Sequence, residues 1–255
     1  MAVYACSDFH GMLHFYKSIK DKLEPDDRVF YLGDAGDRGP HCWETIKAIL
    51  DDPQFIYLKG NHEDMLIRVL GDYLEMGCPD YHDLSLLSYN GGTPTYEEAI
   101  TDPKLSYYYE KLIHLPLLKE YININGERIV LSHAGFTPWK DELYTGDEEK
   151  RDIIFRRPRS EDLIWDREHF LDEWTKENCV DCFIIHGHTP VPYLLEEIDP
   201  VCTMSEIEPG VLWYDKERKC CIDCGAVFTG YCVLLNLDTW TEDIFYSEPY
   251  PRSAG

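Results

Sequence analysis

Short apolar runs alternate with segments of helical periodicity along the first part of the chain. The runs at 3–7, 28–32 and 54–58 predict three strands. Between them, apolar residues recur at helical spacing over 12–23, and a second helical pattern opens at Pro40. This βαβαβ order predicts a parallel sheet, and ligand sites gather at the carboxyl ends of such strands.

The pattern changes twice further along the chain. Residues 64 to about 118 have mostly helical periodicity, and Asn125-Gly126 between two alternating runs predicts a hairpin. Residues 136 to about 180 are polar and rich in tryptophan and charge. We expect one domain over 1–255, in which 64–118 is a helical insertion and 136–180 is an excursion over the site. Five further runs predict strands, and the last four would form an antiparallel meander: 182–186, 211–214, 219–223, 231–237 and 241–246.

Five short strings place Asp, Asn or His beside glycine, at or near the ends of these apolar runs. Carboxylate, amide and imidazole groups bind divalent cations. Two such cations can activate a water that attacks a phosphate ester, and a nearby arginine can bind the phosphate. Glycine beside a ligand lets the backbone turn sharply without filling the cavity. The strings are Asp8-Phe9-His10-Gly11, Gly33-Asp34-Ala35-Gly36-Asp37-Arg38-Gly39, Gly60-Asn61-His62-Glu63, Ser132-His133-Ala134-Gly135 and Gly187-His188-Thr189-Pro190.

These strings predict two neighbouring metal ions. Asp8 and His10 lie two residues apart just after a strand and could bind one ion. The Asp34 carboxylate could bridge the two ions. The mixed nitrogen and oxygen ligands suit manganese or iron, with zinc, cobalt and nickel as alternatives. The first ion would take Asp8, His10 and Asp34, and the second would take Asp34, Asn61, His133 and His188.

Three residues beside the ligands have predicted roles in the reaction. His62 follows Asn61 directly, so its ring could face the site without binding metal and act as a general acid. Asp37 could accept a hydrogen bond from the far ring nitrogen and fix the tautomer. Arg38 could donate hydrogen bonds to two oxygens of a phosphate at once. Its alternative role is a surface salt bridge.

Composition narrows the classes of partner and compartment. A net charge of −24 over 255 residues argues against nucleic acid or an anionic membrane as the main partner. No long apolar run or amino-terminal leader pattern is present, which favours a cytoplasmic protein. The ten cysteines are then expected as reduced thiols. Two pairs, Cys179 with Cys182 and Cys221 with Cys224, could hold structural zinc, but their separation and strand-like context favour packing.

At these strings the chain resembles the phosphoprotein phosphatase branch of the calcineurin-like metallophosphoesterases, most closely its bacterial and phage lambda type members. The likeness extends to Asn90-Gly91-Gly92, Leu115-Pro116, Trp165-Asp166-Arg167 and the run 222–227. It implies an α/β fold: a β-sandwich of two mixed sheets flanked by helices, with the site at the strand ends.

The resemblance also implies residue roles. Arg167 would hold the substrate phosphate together with Arg38 and the metal ligand Asn61. His188 would be the late metal ligand, because Gly187-His188-Thr189-Pro190 matches the phosphatase pattern, and His186 would lie behind it. In the wider superfamily a late His-x-His supplies both metals, so His186 stays the alternative ligand.

The implied activity is metal-dependent hydrolysis of a phosphate monoester. The preferred candidate substrates are phosphoserine and phosphothreonine in proteins. A symmetric dinucleoside-tetraphosphate hydrolase is an alternative, because that group shares the metal strings. A catalytically dead phosphatase-like scaffold is a third hypothesis, and the intact set of site residues argues against it. The partner would be a phosphoprotein or a phosphorylated small molecule, while the sequence leaves the oligomeric state open.

Overall fold

The computed structural model describes residues 1–144, 151–198 and 208–250, and all structural statements concern these ranges. The strands are β1 (Val3–Cys6), β2 (Arg28–Tyr31), β3 (Phe55–Tyr57), β4 (Leu118–Ile122), β5 (Arg128–Ser132), β6 (Lys140–Tyr144), β7 (Arg151–Phe155), β8 (Phe183–His186), β9 (Leu212–Tyr214), β10 (Lys219–Cys221), β11 (Tyr231–Asn236) and β12 (Glu242–Tyr246). The helices are α1 (Leu13–Lys22), α2 (Cys42–Asp51), α3 (Asn61–Met76), α4 (Tyr81–Tyr89), α5 (Thr93–Thr101), α6 (Leu105–Ile113), α7 (Asp162–Trp165), α8 (Val191–Ile198) and α9 (Ala226–Thr229), with a 3₁₀ turn at His169–Leu171.

Two mixed five-stranded sheets form the centre of the molecule. The first has the order β12-β11-β1-β2-β3, in which β1, β2 and β3 are parallel and the other two strands are antiparallel. The second has the order β4-β5-β8-β10-β9, with β5, β8 and β10 parallel. The predicted sandwich of two mixed sheets is therefore confirmed.

The antiparallel meander predicted for the last four strands is wrong. β9 and β10 belong to the second sheet, where β10 lies parallel to β8, whereas β11 and β12 extend the first sheet. A run of alternating residues identifies a strand but not its partner, since pairing is decided by contacts distant in sequence.

The side-chain alternation of the strands builds the core between the sheets. On β5, Ile129 and Leu131 pack with Ala5 of β1 and Ile185 of β8 in one buried cluster. The intervening residue Val130 points to the opposite face and packs under the segment that follows β5. The two sheets are thus joined face to face, which brings the ends of their parallel strands to one edge.

Helices cover the outer face of the first sheet. Its strands share one buried cluster with α1, α2 and the helical region α3 to α6. This region begins at Asn61, three residues earlier than predicted, so the third motif forms the first turn of α3. Within the described ranges, no helix is long and apolar enough to span a membrane.

The paired cysteines are buried free thiols that pack in separate places. Cys182 lies in the cluster beneath the segment after β5, while Cys221 and Cys224 lie in two other clusters. In the described part of the chain, the groups able to hold a metal contain no cysteine.

Candidate metal centre and phosphate cleft

The five motif strings converge at the carboxyl ends of parallel strands. The loops after β1 and β2 are joined by backbone hydrogen bonds, from Asp8 N to Gly33 O at 3.1 Å and from His10 N to Asp34 O at 3.0 Å. Across the sandwich, Gly187 N donates to His133 O at 2.7 Å. The structure therefore brings the strings of both sheets to one place, although they are spread over most of the sequence.

The predicted site residues are held in an unusual backbone state. Of the ten non-glycine residues with positive φ in the described ranges, six are predicted site residues. Left-handed backbone is costly for residues with a side chain and concentrates at functional sites. The six are Asp8, His10, Asp34, Asp37, Arg38 and His188.

Asp34 belongs to two groups of potential metal ligands. Its Oδ2 faces His10 Nε2 at 3.7 Å, while its Oδ1 faces His133 Nε2 at 3.4 Å. The first group is His10, Asp34 and His62, and the second is Asp34, His133 and His188; within each, the ligand atoms lie within 4.8 Å of one another. A carboxylate that presents one oxygen to each group has the geometry of a bridging ligand.

Asn61 and Asp8 complete the set that the sequence predicts. Asn61 Oδ1 lies 2.9 Å from His133 Nε2 and 3.1 Å from His188 Nδ1, so it belongs with the second group. Asp8 is buried, and its Oδ1 has no hydrogen-bond partner among the described residues. A buried carboxylate oxygen without a partner is costly unless it binds a cation, so this donor set fits divalent metal ions.

Burial and neighbouring charges shift the pKa values of the site residues in both directions. Burial opposes a charge on His133, but the Asp34 carboxylate raises the pKa of that ring to about 10. Burial lowers the pKa of His10 and His188 well below the ordinary histidine value, which leaves neutral imidazoles as ligands. Burial opposes charge on Asp34 as well, but the neighbouring histidines hold its pKa well below the usual range. Burial followed by the charge on Asp223 raises the pKa of Asp8 well above the ordinary value. Crowded, desolvated carboxylates of this kind gain from a nearby cation.

His62 forms a buried pair with Asp37. Its Nδ1 lies 2.5 Å from Asp37 Oδ2, and since a carboxylate accepts, Nδ1 carries the proton and Nε2 faces the site. The hydroxyl of Thr95 on α5 donates to the other oxygen of Asp37 and accepts from Asp37 N at 3.1 Å. Sequence reasoning missed Thr95, because a single threonine in a helical insertion carries no local signal. His62 Nε2 also lies 3.8 Å from Asp34 Oδ2, so the structure groups His62, rather than the predicted Asp8, with His10.

Two exposed arginines face the predicted metal ligands. The guanidinium of Arg38 lies between two rings, with Nη1 2.6 Å from His10 Nε2 and Nη2 2.7 Å from His62 Nε2. Arg167 comes from the irregular segment after α7, and its Nε lies 3.1 Å from His188 Nε2. Both line an open cleft of about 520 Å³ beside the ligands.

Glu63 is a site residue that sequence reasoning left without a role. It is buried, and its carboxylate accepts hydrogen bonds from Asp34 N at 2.8 Å, Ala35 N at 2.9 Å, Gly60 N at 2.9 Å and the hydroxyl of Tyr57 at 2.6 Å. It therefore ties the loop of the bridging carboxylate to the start of α3. The glutamate three residues after Gly60 is the signal of a capping box and could have indicated this contact.

Two motif glycines are needed for close approach between loops. A Cβ on Gly33, whose φ is +100°, would lie 2.6 Å from Gly60 N and 2.8 Å from His133 Nδ1. A Cβ on Gly187 would collide with the Asp8 carboxylate and the Ser7 hydroxyl. These positions exclude any side chain because the two sheets meet there.

His186 turns away from the ligand groups. Its Nδ1 contacts Gly187 O at 3.0 Å, and its Nε2 contacts the hydroxyl of Tyr214 at 2.8 Å. The structure therefore places His188 among the potential ligands and His186 behind them, which is the arrangement that the resemblance implies.

Solved structures share this fold over nearly the whole chain. The crystal structure of a putative diadenosine tetraphosphatase has a TM-score of 0.55 at 13% identity and covers 96% of this chain and 93% of its own. A serine/threonine phosphatase from Saccharomyces cerevisiae with similarity to human PP5 has a TM-score of 0.54 at 15% identity, covering 98% and 81%. A metallophosphoesterase from Sphaerobacter thermophilus has a TM-score of 0.54 at 18% identity, covering 98% and 88%. At such identities the likeness shows the fold alone.

Curated relatives match most of the chain. The asymmetrical bis(5'-nucleosyl)-tetraphosphatase PrpE of Bacillus thuringiensis (strain Al Hakam) is 26% identical over 203 residues, which are 72% of this chain and 77% of the relative. The protein of the same name from Geobacillus sp. (strain WCH70) is 24% identical over 206 residues, 75% and 80%.

A family model described as calcineurin-like phosphoesterase matches residues 1–218, which contain all five motif strings. This match confirms the family indicated by the sequence, whose members are hydrolases that use divalent metals in a dinuclear site. The chain belongs to the calcineurin-like phosphoesterase family.

Proposed function

We propose that this protein hydrolyses phosphate esters or phosphoanhydrides at a dinuclear centre held by the six predicted ligands Asp8, His10, Asp34, Asn61, His133 and His188. The observation that carries the proposal is the position of Asp34, whose two oxygens face two separate groups of ligands. Divalent cations bound there would act as Lewis acids and activate the attacking water. Manganese is the proposed metal, with iron next, because the ligands mix nitrogen with oxygen.

The chain's own residues would bind the phosphate and move one proton. Arg38 and Arg167 would each donate to non-bridging phosphate oxygens, which spreads the charge that builds up during attack. His62 would hold a proton on Nε2 and give it to the leaving oxygen. Asp37 would stabilise the charged ring through Nδ1, and Thr95 would keep Asp37 in place.

The lining of the cleft favours a nucleotide as substrate. Around the two arginines, the same cleft of about 520 Å³ is lined by four aromatic rings, those of Tyr89, Tyr193, Phe228 and Tyr250. Tyr89 is 90% exposed at the rim, where a planar base could stack on it. The curated relatives are named for asymmetrical hydrolysis of bis(5'-nucleosyl) tetraphosphates. We therefore place dinucleoside polyphosphates first and consider both symmetrical and asymmetrical cleavage.

Phosphoserine and phosphothreonine in proteins are the second candidate. Both Arg38 and Arg167 are exposed, and the cleft is open, so a phosphate carried on a protein surface could reach them. The motif strings are shared by both kinds of enzyme and do not choose between them.

A substrate panel with added manganese tests the proposal. Diadenosine tetraphosphate and a phosphoserine peptide would be compared at equal concentration, with the Asp34→Asn variant as the inactive control. We expect faster hydrolysis of the nucleotide, and chromatography of the products would separate a symmetrical cut (two ADP) from an asymmetrical one (ATP and AMP). Faster release from the peptide would reverse the ranking, and no hydrolysis of either compound would favour the scaffold hypothesis.

A further inference from the structure

Arg167 lies in a segment with little regular structure of its own. We call residues 166–172 the arginine segment; it follows α7 and contains one 3₁₀ turn, His169–Leu171. The Arg167 side chain is exposed. An exposed side chain loses rotamer freedom when it binds, so the position of the backbone beneath it decides how well it meets a phosphate.

Lys219 of β10 holds this backbone from below. Its side chain is fully buried, and Nζ donates to the carbonyl oxygens of His169 at 2.6 Å and Asp172 at 3.1 Å. The same ammonium group donates to Thr137 Oγ1 at 3.2 Å and lies 3.1 Å from the Asp215 carboxylate. A buried ammonium is costly unless its charge is paired and its protons are donated. Two of the acceptors that satisfy it are carbonyls of the arginine segment.

A second connection runs through buried side chains. His186 Nδ1 lies 3.0 Å from Gly187 O, and a carbonyl can only accept, so the neutral ring carries its proton on Nδ1. Tyr214 therefore donates its hydroxyl proton to His186 Nε2 at 2.8 Å and accepts from His169 Nε2 at 3.1 Å. This ordered chain joins the arginine segment to the residue that precedes the late ligand.

The fourth motif string makes room for these rings. A Cβ on Gly135 would lie 2.7 Å from His169 Nε2 and 3.0 Å from His186 Cγ. The two rings thus meet against a backbone position that only glycine fits, which fixes the depth of the arginine segment relative to β8.

We infer that Lys219 and Tyr214 are positioning residues, which fix the arginine segment so that Arg167 presents its guanidinium to the substrate phosphate. Both residues are buried, and the cleft is lined by Arg167 but by neither of them. Both act through Arg167, so the inference rests on the phosphate-binding role proposed for that arginine. The hairpin of β9 and β10 thereby gains a part in the reaction although it contains none of the motif strings.

Tyr214→Phe tests the inference with little change in volume. Competitive inhibition by inorganic phosphate and kcat/KM for p-nitrophenyl phosphate would be measured on the manganese-loaded enzyme. We expect the Ki of phosphate to rise about three- to tenfold, the effect of one neutral hydrogen bond, with metal content as in the wild type. In an Arg167→Ala background, Tyr214→Phe should cause no further rise, because both changes remove the same interaction.

Two further variants keep the test falsifiable. Tyr121→Phe on β4 is the matched control, since it removes a hydrogen bond of 2.8 Å to Asp238 Oδ1 and should leave the Ki unchanged. Lys219→Met should repeat the effect of Tyr214→Phe if the variant folds.

The possible outcomes distinguish failure of the positioning role from failure of the phosphate-binding role proposed for Arg167. Rises in Ki that add up in the Tyr214 and Arg167 double variant would overturn the positioning role, as would an unchanged Ki in Tyr214→Phe. An unchanged Ki in Arg167→Ala alone would overturn the role of the arginine and the inference together. Inorganic phosphate is the probe, so the result does not depend on which ester is the natural substrate.

Discussion

Glu63→Gln keeps the shape of a buried side chain and removes half of its ability to accept. The carboxylate accepts four hydrogen bonds. Its Oε2 accepts from the backbone N–H groups of Asp34 and Gly60, and its Oε1 accepts from the backbone N–H of Ala35 and the hydroxyl of Tyr57. Glutamine has one oxygen, and its amide nitrogen can only donate. The best orientation keeps the oxygen on the first two amides and turns the nitrogen toward the second pair.

The magnitude follows from what is left without a partner. Tyr57 can rotate its hydroxyl and accept from the new amide, but Ala35 N–H loses its acceptor inside the protein. An unpaired buried donor costs about 1–3 kcal/mol, and the remaining bonds lose the assistance of a charge. Burial, and then Asp34, raise the pKa of Glu63, so removing its charge recovers part of the loss. We expect the free energy of unfolding to fall by about 2–4 kcal/mol.

Urea unfolding of the metal-free protein measures this free energy directly. The matched control is Glu120→Gln, which changes an exposed pair whose carboxylate lies 2.8 Å from Arg128 and should lose less than about 0.5 kcal/mol. Metal affinity should also fall by about 10- to 100-fold, since Glu63 holds the backbone of Asp34. A loss of stability no larger than that of the control would refute the reasoning.

Three further predictions concern other parts of the molecule. His62→Asn should lower kcat by about 10²–10⁴ with metal content unchanged, whereas loss of metal in this variant would make His62 a ligand. Tyr89→Ala should raise KM for diadenosine tetraphosphate by about five- to fiftyfold and that for β-glycerophosphate by less than about twofold, because only the nucleotide has a ring to stack. A hydrogen bond from Lys47 holds the pKa of Asp102 at about 2, so the pair stabilises the fold above about pH 4 and loses this effect as the pH falls towards 2. Asp102→Asn should therefore cost about 2 kcal/mol at pH 7, and the difference in urea unfolding should shrink between pH 4 and pH 3; a constant difference would be contrary to this linkage.

Local pattern predicted much of the fold, because short apolar runs and turn residues report on strands and turns directly. The hairpin of β4 and β5 and the parallel strands β1, β2 and β3 follow from such signals. The placement of β10 beside β8 does not, because parallel pairing joins residues that are far apart in sequence. The residues of a strand alone do not determine which strand it pairs with.

The candidate site shows the same division. Asp34 follows Gly33 and His133 lies two residues before Gly135, both just after a strand, so their proximity could be predicted from the order of the strings. Arg167 was found only through the resemblance, since its segment has no periodicity. Thr95 and Lys219 had no signal at all, because their roles depend on contacts between elements that only the folded chain brings together.

A strongly acidic protein can bind a phosphate only if positive charge is concentrated at the binding site. With a net charge of −24, the protein as a whole repels an anionic substrate. Two exposed arginines line the cleft, and divalent cations at the ligand groups would reverse the sign there. Activity should consequently depend on cation loading more steeply than stability does.

The central claim is that one carboxylate, Asp34, joins two metal positions. Elemental analysis of the protein after manganese loading and dialysis tests it most directly, with Asp34→Asn beside Asp26→Asn as an exposed control. We expect two manganese ions per chain in the wild type and the control, and loss of both ions in Asp34→Asn. Two ions retained by Asp34→Asn, or none bound by the wild type, would contradict it.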